Sequence, residues 1–227
     1  YSDELLSFVN HPDMREAYDT LALVFEGFSE TEEQLRLAFG QYQIHFPEYE
    51  LPIITTFFSG FNYGVSSFEN EITIGLENFL GSNSKFYKLL NDPEYLRFQK
   101  QEKYITANVM EVLCNSNYER FLKGDDFLSL LINKGKVMYF IDRMMPNSSD
   151  AIKFRFSKSQ LQWVEENEAA IWTYFIEEDL LFSNKAQRYQ SFFNYAPFAK
   201  GMPAQAPGRV GYYIGFKLIE KYMSNHD

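Results

Sequence analysis

The sequence predicts an α+β fold, predominantly α-helical with a small antiparallel or mixed sheet near residues 51–77. Three observations carry that prediction. The first 45 residues read as helices, two β-branched and aromatic runs follow Pro47, and helical periodicity returns from about residue 84.

Taken in order, the elements have local reasons. Thr31-Glu32-Glu33-Gln34 has the pattern of a capping box, in which the Thr31 hydroxyl and the Gln34 side chain satisfy each other's backbone amides. Leu35, Phe39 and Tyr42 then recur at helical spacing. "LPIITTFFSGFNYG" (51–64) and "NEITIGLENFLG" (70–81) have the composition of two strands of one small sheet, with a turn-like gap between them. Tyr104–Leu113 predicts a helix. Phe127, Leu130, Leu131, Val137, Met138 and Ile141 line one face of another, with Pro146 just past its end. Ser157-Lys158-Ser159-Gln160 is a second capping box, opening one long helix that points Leu161, Val164, Ile171, Trp172 and Phe175 inward. The prolines and glycines of "NYAPFAKGMPAQAPG" (194–208) predict an extended loop before the last helix. No repeat, low-complexity tract or linker interrupts the chain, so a single domain over 1–227 is expected.

Composition narrows the function classes. The chain holds 23 Phe, 16 Tyr and 2 Trp in 227 residues, enough to build a substantial core. Its formal charge is −10 with no dense run of Lys and Arg, which argues against nucleic acid and anionic lipid as partners. A lone cysteine, Cys114, allows no internal disulfide. No apolar run approaches the roughly 20 residues that span a bilayer. The chain starts at Tyr1 rather than methionine, so a trimmed leader is expected.

The chemical motifs are mostly negative. Gly208, Gly211 and Gly215 have loose phosphate-loop spacing, yet no strand precedes them and no lysine stands where a phosphate loop needs one. Gly211-x-x-x-Gly215 is followed by Lys217, Glu220 and Lys221, unlike a membrane-packing motif. Gly211, Gly215, Leu218 and Tyr222 share one helical stripe, where the glycines permit close packing. Arg209, Tyr213, Lys217 and Glu220 form the opposite, wetter stripe, on which Arg209 and Tyr213 edge a groove or simply cover surface. His11, His45 and His226 are scattered and HExxH is missing, so no metal and no cofactor is expected. No G-x-S-x-G elbow is present. Glu168 falls beside the apolar stripe of Val164, Ile171 and Trp172, where a carboxylate needs a cation or hydrogen-bond donors. Structural pairing is its first reading, acid–base work its second.

Several phrases together resemble the GldB family of gliding-motility-associated lipoproteins of Bacteroidetes. They are "FPEYELPIITTFFSGFNYG", "ITIGLENFLG" with "FYKLL", "GKVMYFIDRMMP", "QLQWVEENEAAIWTYFIEEDLLFS" and "APFAKGMPAQAPGRVGYYIGFKLIEKYM". The last phrase and Trp163, Asn167, Glu168, Ile171 and Trp172 carry the resemblance most specifically. It implies a lipid-anchored protein, with the acylated cysteine upstream of Tyr1 and the soluble domain in the periplasm. It also implies partners among envelope proteins of the gliding machinery or the associated secretion system. More distantly, the order of helix 104–114, "LSLLINKGKVMYF" (128–140) and the Gly-Tyr helix is similar to predicted zincin-like peptidases. Those carry HExxH on the first helix and Glu-Gly on the second. Here the first helix offers Asn108 and Glu111, and the second offers Lys134-Gly135, a set that would not hold zinc. Three readings follow: a non-catalytic accessory protein using the former cleft or another surface, an envelope hydrolase with an unusual site, and a peptide- or glycan-binding module. Asn108, Glu111, Lys134, Glu168, Arg209 and Tyr213 are the candidate interaction residues, none of them assigned a catalytic role.

Overall fold

A computed structural model describes residues 2–226, apart from the side chains of Ser2, Leu5 and Glu119. The fold is α+β, mostly helical with one small mixed sheet. It divides into two compact units, Tyr1–Val112 and Leu113–Asp227, and the division falls inside a helix rather than a linker.

The first unit opens with α1 (Ser2–Asn10), α2 (Pro12–Val24) and α3 (Ser29–His45). Pro12 at the first position of α2 gives up no hydrogen bond there, and the His11 ring accepts the Asp13 N–H at 3.3 Å. α3 departs from the expected capping box. It begins two residues before Thr31, and the buried Thr31 hydroxyl donates to the Glu102 carboxylate at 2.7 Å. Gln34 reaches Glu30 at 3.4 Å. Thr31 therefore lies within the first turn of α3 rather than at its cap, and its hydroxyl proton makes a charge-assisted bond to the carboxylate.

The sheet comprises β1 (Ile53–Phe57), β2 (Val65–Phe68) and β3 (Glu71–Gly75) in the order β1-β3-β2. The two expected runs do pair, through β1 and β3, and they run parallel with Ile53 opposite Glu71 and Phe57 opposite Gly75. What looked like a gap holds β2, which returns antiparallel to β3 with Val65 opposite Ile74. Ile72 and Ile74 of the central strand are buried, as alternation requires. α4 (Lys85–Leu89), α5 (Glu94–Arg97) and the start of α6 (Ile105–Tyr118) complete this unit.

The second unit contains the end of α6, then α7 (Phe127–Met144), α8 (Asp150–Phe154), α9 (Lys158–Glu166), α10 (Glu168–Glu177) and α11 (Val210–Met223). Asp126 caps α7 by accepting the Ser129 N–H at 3.0 Å. The expected face of α7 is buried, with Leu130 half-exposed. The Ser157–Gln160 capping box is present. The long helix expected after it is broken into α9 and α10 at Asn167, whose amide donates back to the Trp163 carbonyl at 2.8 Å. That side-chain bond draws the carbonyl away from the helix axis and lets the chain turn. Residues 194–208 form the expected irregular loop.

α7 and α11 cross at two glycines. A Cβ on Gly135 would overlap the Gly215 carbonyl, and one on Gly215 would overlap the Leu131 carbonyl. Elsewhere in this unit aromatic rings pack on one another. Phe127 lies 4.8 Å from Phe175, 5.2 Å from Tyr189 and 5.4 Å from Phe193, ring centre to ring centre. Phe154 sits 5.5 Å from both Tyr213 and Phe216. Much of the aromatic content is thus core, while Phe68, Phe182 and Tyr63 are among the rings left exposed.

Candidate functional site

The wet stripe expected on α11 does not exist at its N-terminal half. Arg209 is 2% exposed and Tyr213 5% exposed, because the irregular 186–208 segment and α8 cover both sides of the helix start. Conversely, Tyr222 of the supposed packing stripe is 56% exposed and stacks on His226. Only Gly211 and Gly215 of that stripe are deeply buried.

Arg209 stands immediately before α11 in the left-handed region, φ 67°, and its N–H donates to the Ser191 carbonyl at 3.2 Å. That backbone turn aims the guanidinium between two rings. It lies 3.9 Å from the centre of Tyr212 and 4.4 Å from that of Tyr195, and donates to the Tyr195 hydroxyl at 2.6 Å. The Lys134 ammonium lies 5.3 Å from the centre of the same Tyr212 ring. Two candidates chosen separately from the sequence therefore meet on a third residue. Tyr212 and Tyr195 gave no signal of their own among sixteen tyrosines. Each desolvated cation–ring contact contributes about 1–2 kcal/mol.

Glu168 and Tyr213 form a second pair. The buried phenol hydrogen-bonds to the Glu168 carboxylate, and burial, together with the charges of Glu168 and Glu165, pushes its pKa well above the usual tyrosine range. Lys217, 2.8 Å from Glu220, extends the cluster. Burial lowers its affinity for a proton, but Glu220 and the more distant Glu168 and Asp150 outweigh it, so the ammonium is held charged. Glu168 is half-buried and paired, as its first reading required.

Lys134 also borders a cavity of about 450 Å³ between the end of α6 and α7, lined by Asn115, Ser116, Leu122, Gly124, Leu130, Asn133 and Val137. Asn133 is buried and donates to the Lys123 carbonyl at 3.1 Å, which fixes the pocket wall. Such a mixed amide, hydroxyl and apolar lining suits a polar, uncharged or weakly anionic group.

Asn108 and Glu111 lie on α6 in the first unit, both half-buried. The Asn108 amide donates to the Tyr104 carbonyl one turn back at 2.7 Å. Among the described residues no group of three or more His, Cys, Asp or Glu side chains converges to hold a metal ion.

The first unit also contains a buried carboxylate that sequence reasoning missed. Glu77 has no exposed surface, and its Oε1 accepts the Ser59 N–H at 2.6 Å, the Phe61 N–H at 3.1 Å and the Ser59 hydroxyl. Successive positive φ angles at Gly60 (68°) and Phe61 (70°) turn those amides inward, forming a nest for the anion. The Ser59 oxygen accepts the N–H groups of Asn62 and Tyr63 at 3.1 and 3.0 Å, so its lone pairs are committed. This serine is a strut rather than a nucleophile. Its sequence signal was an acid placed inside the apolar run "ITIGLENFLG".

Over residues 1–227 the chain matches the family described as gliding motility protein GldB. The chain belongs to the GldB family. No curated protein and no solved structure matches it. GldB membership makes it a gliding-motility-associated lipoprotein of the cell envelope. Among its described residues no helix is long and apolar enough to cross a membrane.

Proposed function

We propose that this GldB-family protein is a non-catalytic accessory component of gliding or associated secretion machinery, held to the membrane by a lipid upstream of Tyr1 and facing partners in the periplasm. The observation that carries the proposal is the family match along the whole chain. The second unit supports it. Lys134 and Arg209 are occupied with Tyr212, and α7 and α11 touch through their backbones at Gly135 and Gly215. Lys134-Gly135 stands where the predicted zincin-like peptidases carry Glu-Gly, so that ligand is missing here.

A peptide- or glycan-binding module is the second reading, favoured by the polar pocket at Asn115, Ser116 and Asn133. The test is complementation of a deletion strain with the lipidated chain, reading colony spreading and the secreted protein profile. Ser116→Trp fills the pocket from its exposed rim. It is expected to abolish complementation while melting temperature and envelope level stay unchanged. A deletion that alters neither spreading nor secretion sinks the accessory role. Stoichiometric tightly bound zinc, with peptidase activity lost on chelation, would establish the hydrolase reading instead.

A further inference from the structure

The small sheet ends on β1, and the outer edge of that strand is unguarded. The Ile53 N–H donates to the Asn70 carbonyl at 2.9 Å, and the parallel register repeats this every second residue. Ile53, Thr55 and Phe57 thus direct their backbone groups at β3, and Ile54 and Thr56 direct theirs outward. Edge strands are ordinarily protected by charge, proline or a bulge. β1 contains no charge and no proline, and no charged residue occurs anywhere from Leu51 to Phe68. Thr56 is exposed and Ile53 is 67% exposed. The opposite edge, β2, is shorter and runs into Glu69.

We propose that β1 pairs antiparallel with β1 of a second copy, about a two-fold axis centred on Thr55, joining two sheets into one. The strand suits itself. Ile53 falls opposite Phe57 of the other copy, and Ile54 opposite Thr56, which exchange both outward hydrogen bonds. Thr55 meets Thr55 as the close, non-hydrogen-bonded pair. Aromatic with β-branched and Thr with Thr are favourable cross-strand combinations. Charge argues for the same face. Each copy carries −10, so most surfaces repel a second copy, whereas the uncharged 51–68 stretch does not.

Sedimentation equilibrium of the 227-residue chain tests this. A concentration-dependent dimer is expected, strengthened by salt, which screens the like charges. Thr56→Lys, at an exposed position, is expected to return it to monomer. Thr55→Cys is expected to form an intermolecular disulfide under mild oxidation, because the close pair sets the two Cα atoms about 4.5 Å apart. The unaltered chain, whose Cys114 is buried, is the control. A chain that stays monomeric at every concentration overturns the proposal. So does a dimer that survives Thr56→Lys and gives no Thr55→Cys cross-link, or a monomer that takes up an added β-strand peptide at this edge.

Discussion

A carboxylate with no solvent exposure must be met by donors, and at Glu77 the Ser59–Phe61 segment supplies three of them to one oxygen. Glu77→Gln keeps the shape but removes the charge those donors face. It is expected to lose about 1–3 kcal/mol in urea denaturation, with increased proteolysis of the 59–63 loop. Tyr213 makes a pH-dependent prediction. Its folded pKa is raised above the ordinary value of 10.0, so its contribution is fully present below that pH and declines as pH climbs through the folded value. The same sign holds for Tyr87, whose phenol is raised first by burial and further by Glu77 and Asp92. Thermal melts of Tyr213→Phe above about pH 10 should therefore fall less steeply than those of the unaltered chain. Near neutrality the variant should lose about 1 kcal/mol, the worth of one hydrogen bond.

Helices and strands show which local signals suffice. The Ser157 capping box was legible because both of its partners lie within four residues, and Ser157→Ala is expected to cost about 1 kcal/mol by chemical denaturation. The Thr31 box had the same pattern and failed, since α3 starts at Ser29 and Thr31, already inside the helix, gives its hydroxyl proton to Glu102, 71 positions away. Asn167 broke a well-patterned helix for a similar reason, its side chain bonding the Trp163 carbonyl. The glycines of α11 were read correctly as packing devices, but their partners, Phe193 against Gly211 and Gly135 against Gly215, were visible only once the chain was packed. Gly135→Ala or Gly215→Ala forces a methyl against backbone that cannot swing away. Either is expected to destabilise by roughly 1–3 kcal/mol, and their double mutant to show strong non-additivity in a thermodynamic cycle.

For the whole molecule, charge and composition speak most directly. With 31 acidic against 21 basic side chains, the protein is expected to leave duplex DNA unretarded in a gel-shift assay near physiological salt. Family membership was legible because phrases such as "APGRVGYYIGFKLIEKYM" preserve residue order, which a linear comparison reads directly. The candidate site was legible only in part. Lys134 and Arg209 were named, but not Tyr212 between them, and Glu168 and Tyr213 were named without being paired. Arg209 and Tyr213 were expected in water because their spacing on α11 matches Lys217 and Glu220, and they are buried because the 186–208 segment folds back over the helix start. By itself the sequence determined the fold class, most of the helices, two of the three strands and the family, all of which rest on short-range periodicity or on residue order. Tertiary structure alone decided the parallel sense of β1 and β3, the cations on Tyr212 and the nest around Glu77. Those depend on which distant groups compete for one proton, one ring or one carbonyl, and that competition is settled only when the chain is packed.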